Sequence, residues 1–130
     1  MNGSARTLQE LKKTIGVKYL PPRTEAYSAP EQVIGAIREP WKVDVFQYGL
    51  VFYEAATSIH PFLGCDELID LNELHKRIVE ARIEPIIKYR SDLPEDIARV
   101  IMECLAREPM DRPEIGEVLR ITYRVKRRLS

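Results

Sequence analysis

The chain has 130 residues, 45% of them apolar and 31% charged, and its twenty basic residues balance twenty acidic ones. That length sets one domain with a single modest core, and the composition is that of a folding chain, which excludes intrinsic disorder. Zero net charge excludes a global field that would draw the whole molecule to nucleic acid or a membrane surface.

Residues 1–40 read as irregular. Met1-Asn2-Gly3-Ser4 has the character of a flexible start, and so polar an N-terminus carries no apolar signal segment. Leu8, Leu11 and Ile15 share one face of a short helix before Gly16, after which Pro21-Pro22, Pro30 and Pro40 interrupt regular helix. A long segment of this kind inside a compact domain points to a functional element or a linker. From Lys42 to about Thr57 the pattern changes. Val43, Val45, Phe46, Tyr48, Leu50, Val51, Phe52, Tyr53 and Ala55 cover every side of a helix, which predicts a central buried helix, closed by Pro61. Asp70-Leu71-Asn72-Glu73 has the form of a capping box, opening a second helix with Leu71, Leu74 and Ile78 on one face. Pro94, Glu95 and Asp96 start a third, where Ile97, Val100, Ile101, Cys104 and Leu105 follow helical spacing. Pro113 opens a fourth, predicted to turn Ile115, Val118, Leu119, Thr122 and Val125 inward. No alternating strand pattern of useful length occurs, and there is no internal repeat. The expectation is an all-α fold: one structural domain with an irregular region over residues 1–40 and a helical core over residues 41–130.

Catalytic signals are thin. The glycines at 3, 16, 35, 49, 64 and 116 are scattered, so no phosphate-cradling loop exists. His60, His75, Cys65 and Cys104 match no metal-ligand spacing. Neither cysteine belongs to a C-x-x-C pair, so the expected setting is a reducing, cytoplasmic one. Cys104, on an apolar helix face, reads as a small core residue. The longest uncharged apolar stretch, Val45 to Tyr53, is about half what a bilayer span requires, so no membrane association is expected. Arg120, Arg124, Lys126, Arg127 and Arg128 follow the last acidic residue, Glu117. A solvated basic helix end, complementing the helix dipole, is favoured there over a nucleic-acid site.

Four stretches, in order over residues 24–113, resemble the C-terminal lobe of eukaryotic-type protein kinases. Thr24-Glu25-Ala26-Tyr27-Ser28-Ala29-Pro30-Glu31 matches the family's T-x-x-Y-x-A-P-E segment, which closes the activation region. Lys42 to Glu54 resembles its central D-V-W-S-L-G-V-x-x-Y-E helix, and His60-Pro61-Phe62 the P-F turn after it. Cys104-Leu105-Ala106-Arg107-Glu108-Pro109-Met110-Asp111-Arg112-Pro113 resembles the C-L-x-x-D-P-x-x-R-P corner. The Thr-x-x-Tyr form favours the serine/threonine branch. The resemblance implies a C-lobe-like helical subdomain around the central helix, preceded by an activation-segment-like region. It further implies that Glu31 pairs with Arg112, that Thr24 and Tyr27 belong to the substrate-docking floor, and that Glu54 reads a basic substrate residue. A plain polar residue near the helix end is an equal reading of Glu54. Asp44 and Trp41 take structural places. Asp44 matches a buried aspartate that accepts backbone hydrogen bonds from the catalytic loop.

Phosphoryl transfer in this family is positioning plus electrostatics, supplied by a Gly-rich loop, a strand lysine, an H-R-D loop and a D-F-G aspartate on magnesium. This sequence contains none of them. Met1 to Arg6 overlays a D-F-G-S-A-R stretch with Met1 where the metal-binding aspartate belongs, so the chain is expected to begin near the activation segment. No cofactor is expected for it; ATP and magnesium enter only if a missing N-terminal portion completes it. The helix and loop that cover one side of the central helix in the family are also missing. A protein partner or a second copy is therefore expected over residues 42–57, besides any protein substrate. Three functions stand open: a non-catalytic kinase-like binding or self-associating module, the distal half of a serine/threonine kinase, and an unrelated helical binding domain with a basic end.

Overall fold

A computed structural model of the chain describes residues 19–20, 25–64 and 69–129, with side chains described over 25–64 and 69–123. Among the described residues five α-helices run in chain order: α1 (Pro30–Ile34), α2 (Pro40–Thr57), α3 (Leu71–Glu80), α4 (Glu95–Cys104) and α5 (Ile115–Leu129). A 3-10 turn at Glu25–Tyr27 precedes α1, and others at Ile86–Lys88 and Pro109–Asp111 lie between α3 and α4 and between α4 and α5. Two two-residue strands, β1 (Tyr19–Leu20) and β2 (Ile69–Asp70), pair antiparallel with Tyr19 opposite Asp70 and Leu20 opposite Ile69. That clip ties the first segment to the start of α3.

The central helix starts where proline is tolerated, with Pro40 in its first turn, and ends when Ser58 turns left-handed at φ 62°. The Ser58 N–H closes the last turn onto the Glu54 carbonyl at 2.7 Å. Helix α3 opens on Asp70, whose carboxylate accepts from the Asn72 N–H at 2.8 Å, a side-chain cap for one of the free amides at a helix start. The expected reciprocal half of the capping box is absent. Glu73 turns instead to Arg77, one helical turn on, at 3.1 Å.

The core forms where α2, α3, α4 and α5 meet. Phe46, Leu50 and Tyr53 from α2 pack among Leu74 and Ile78, Ile97, Val100, Ile101 and Cys104, and Val118. Phe62, from the turn after α2, stacks on Phe46 with ring centres 6.2 Å apart. Helices α2 and α4 approach most closely at Gly49, where an added Cβ would lie 2.9 Å from the Cys104 Cβ. The Tyr53 hydroxyl, deep in this core, donates to the Glu84 carbonyl at 2.8 Å. Burial, aided by Tyr89 and Glu84, pushes its pKa up to about 12.

The fold departs from expectation in three places. Residues 30–34 are helical rather than irregular: Pro30 supplies a helix-ready φ, the Gln32 side chain accepts from the Ala29 N–H at 2.7 Å, and Gly35 at φ 72° stops the turn. The central helix is not covered all round. Trp41 and Val51 stay 54% and 57% exposed, with Asp44 and Ala55 exposed on the same face. Ile115 and Leu119, expected inward, are 39% and 49% exposed beside Tyr123 at 61%. Helix α5 has one main neighbour, α4, and buries Val118 and Ile121; its apolar stripe is wider than that one contact covers.

Candidate functional site

The 3-10 turn at Glu25–Tyr27 delivers Tyr27 to the flank of the central helix. Gln47 donates from Nε2 to the Tyr27 carbonyl at 3.1 Å, and the Tyr27 hydroxyl donates to the Glu54 carboxylate. The Tyr27 ring stands edge-on to the His60 ring, centres 5.0 Å apart at 79°. His60 is buried and its Nδ1 accepts from the N–H groups of Phe62 and Leu63 at 3.1 and 3.4 Å. In the neutral ring that places the proton on Nε2. Tyr27, Glu54 and His60 thus form a half-buried polar platform on one side of α2. Thr24 lies outside the described residues, as do residues 1–18.

A second constellation anchors the segment carrying Tyr27. Arg112 forms a bidentate pair with Glu31, Nη1 to Oε2 at 2.6 Å and Nη2 to Oε1 at 2.8 Å, both side chains buried. The rest of the guanidinium is consumed by carbonyls: Nε on Ala106 at 2.9 Å, Nη1 on Lys42 at 2.8 Å and Nη2 on Arg107 at 3.2 Å. Its plane also lies 4.8 Å from the Phe46 ring centre. Burial by itself pushes the Glu31 carboxyl pKa up. The Arg112 hydrogen bonds and charge, with a backbone N–H, outweigh it and hold the carboxyl below its ordinary value. Lys42 completes the knot, donating from Nζ to the Arg112 carbonyl at 2.8 Å and to Glu114 at 3.2 Å. Arg112 therefore ties α1, the start of α2 and the corner before α5 together, which sets the position of Tyr27.

The sequence pointed to Tyr27, Glu54, Glu31 and Arg112, and the structure brings each pair together. It missed Lys42, Gln47 and His60 as participants. Lys42 did carry a signal: a lysine entering an otherwise apolar run must find acceptors when buried. Asp44 and Trp41 lie away from both constellations, on the exposed face of α2. The described residues hold no cluster of three or more histidine, cysteine or acidic groups able to bind a metal. No helix among the described residues is long and apolar enough to cross a membrane.

Around this helical core and its Glu31–Arg112 tie, the protein kinase domain family matches residues 3–124, and the chain belongs to that family. It is 34% identical over 91 residues to the tyrosine-protein kinase MasK of Myxococcus xanthus, covering 70% of this chain and 13% of that protein. It is 28% identical over 100 residues to the human mixed lineage kinase domain-like protein, covering 75% of this chain and 20% of that one. Mouse serine/threonine-protein kinase Nek4 is 34% identical over 90 residues, covering 69% of this chain and 10% of Nek4. The chain thus spans a fifth or less of the length of these three relatives. Its fold is that of the twitchin kinase region from C. elegans, with a TM-score of 0.64 at 20% identity over 78% of this chain and 17% of that one.

Proposed function

We propose that this chain is a kinase C-lobe module that acts by binding protein and does not transfer phosphate by itself. The observation that carries the proposal is the bare face of α2. Trp41, Asp44, Tyr48, Val51 and Ala55 fall on one stripe, and Trp41 and Val51 are more than half exposed. The Tyr48 hydroxyl and Thr122 Oγ1, 2.9 Å apart, join that stripe to the exposed Ile115, Leu119 and Tyr123 of α5. Together these side chains leave on the order of 500 Å² in water, as large as the biggest patch on an ordinary monomer. Covering them is worth on the order of 10 kcal/mol gross, an upper figure.

A second copy of the chain is the occupant this stripe suits. Bulky Trp41 at one end of the stripe and small Ala55 at the other are complementary when two copies of α2 cross antiparallel. Sedimentation over a concentration series tests this. The expected result is a mass above the 15.1 kDa of one chain, returned to that value by Trp41→Glu with Val51→Glu while helix content is unchanged. A parent that stays monomeric at every concentration overturns self-association.

The family match supports a second reading, in which this is the distal half of a protein kinase. The same stripe is then covered by an upstream part, and ATP and magnesium belong to that part. Phosphorylation of a protein substrate only when an upstream lobe is supplied favours this reading. Activity of the 130-residue chain alone refutes the first.

A further inference from the structure

On another side of the fold, and sharing no residue with the α2–α5 stripe, lies a cavity of about 390 Å³. It sits between α1, the loop from α1 to α2, the C-terminal end of α3 and the turn at 107–110. Its walls are apolar: Ile34, Val79, Pro109 and Met110. Two of these are exposed large apolar side chains, Met110 at 84% and Ile34 at 62%. Its size falls at the small end of pockets that hold ligands, roughly 300–1,000 Å³. Beneath it, Glu31 is locked to Arg112, so the base of the cavity is held by the most heavily bonded side chain of the described residues.

The polar lining is unusual in its balance. The lining carries two Arg-Glu neighbours, Arg38-Glu39 from the loop before α2 and Arg107-Glu108 from the turn after α4. None of these four side chains takes a hydrogen-bond or ion-pair partner among the described residues. A guanidinium only donates and a carboxylate only accepts. Each pair therefore offers donors and acceptors close together, and its charges cancel. A charged ligand gains from one member of each pair what it loses to the other. An uncharged ligand presenting N–H and C=O groups beside an apolar body engages both pairs.

We propose that this cavity binds a peptide segment, one large apolar side chain seated between Val79, Pro109 and Met110 and the flanking peptide units bonded to the two Arg-Glu pairs. The site is independent of the bare α2 face and holds whether the chain self-associates or not.

The test is a titration of the 130-residue chain, methyl-labelled at isoleucine, valine and methionine, with N-acetylphenylalaninamide, which has an apolar side chain, two peptide units and no charge. Saturable shifts are expected at the Ile34, Val79 and Met110 methyls, with the remaining methyls still. N-acetylglycinamide, which lacks the side chain, should leave them unmoved, and toluene, which lacks the peptide units, should bind roughly tenfold more weakly. Ala36→Trp, an exposed lining position, should fill the cavity and abolish the response. Arg38→Gln with Arg107→Gln should bring N-acetylphenylalaninamide down to the level of toluene. Equal binding of toluene and N-acetylphenylalaninamide by the parent reduces the feature to an apolar cavity and overturns the proposal. So does the absence of shifts at these methyls up to about 10 mM, the range in which so small a probe must bind to matter.

Discussion

Arg112→Ala removes the tie between three parts of the fold. The substitution deletes both hydrogen bonds to Glu31 and the donors to the carbonyls of Lys42, Ala106 and Arg107. It strands a buried carboxylate, and stranding one partner of a buried ion pair costs about 3–5 kcal/mol. That is a large share of the roughly 5–15 kcal/mol that holds a domain together. With a urea slope of about 2 kcal/mol/M, the unfolding midpoint should fall by roughly 2 M, followed by far-UV circular dichroism. Arg112→Lys should recover little, because an ammonium cannot form the planar two-bond fork. Adding Glu31→Gln to Arg112→Ala should recover part of the loss by removing the stranded charge, leaving the orphaned carbonyls as the remainder. A midpoint for Arg112→Ala within about 0.25 M of the parent, about 0.5 kcal/mol at that slope, refutes the reasoning, since that is the scale of an ordinary surface change.

The same pair sets an acid response. Glu31 titrates below its ordinary value of 4.5 in the folded chain, so its contribution is complete above pH 4.5, erodes as pH falls past it and is gone below the folded pKa. The stability gap between the parent and Glu31→Gln should therefore narrow below pH 4.5, and a gap that stays constant from about pH 6 to pH 3 contradicts this. Gly49→Ala places a methyl against the Cys104 Cβ and the Leu105 side chain. Overpacking of about 1–3 kcal/mol should outweigh the roughly 1 kcal/mol gained in helix propensity, so a raised melting temperature sinks the close-approach argument. The Cys104 thiol is buried, and burial, with Glu103 adding to it, pushes its pKa up to about 12. In a Cys65→Ser background it should resist a thiol reagent at neutral pH until the chain is unfolded; rapid native labelling would show that α4 opens.

Much of this molecule was legible in its sequence because local physics wrote it there. Helical spacing of apolar residues located α2 to α5, Asp70 marked the start of α3, and Pro94 marked the start of α4, whereas Pro40, read as a breaker, opens α2. The APE-like and corner segments placed Glu31 and Arg112 at matched positions eighty-one residues apart. Short local devices were harder to read. Helix α1 rests on a Gln32 cap and a left-handed Gly35 inside a proline-rich stretch, where composition argued for irregular chain.

What only the tertiary structure decided is which apolar residues find neighbours. Periodicity states that Trp41, Val51, Ile115 and Leu119 lie on apolar faces, yet burial requires a second surface at the right distance, and no described element supplies one. The bonds from Arg112 to the Lys42 carbonyl and from Lys42 to Glu114 likewise depend on chain segments far apart in sequence. The cavity between α1, α3 and the turn at 107–110 exists only because three separate segments fail to close on one another. Sequence periodicity specifies the faces of helices; the packing of those helices specifies which faces remain open for a partner.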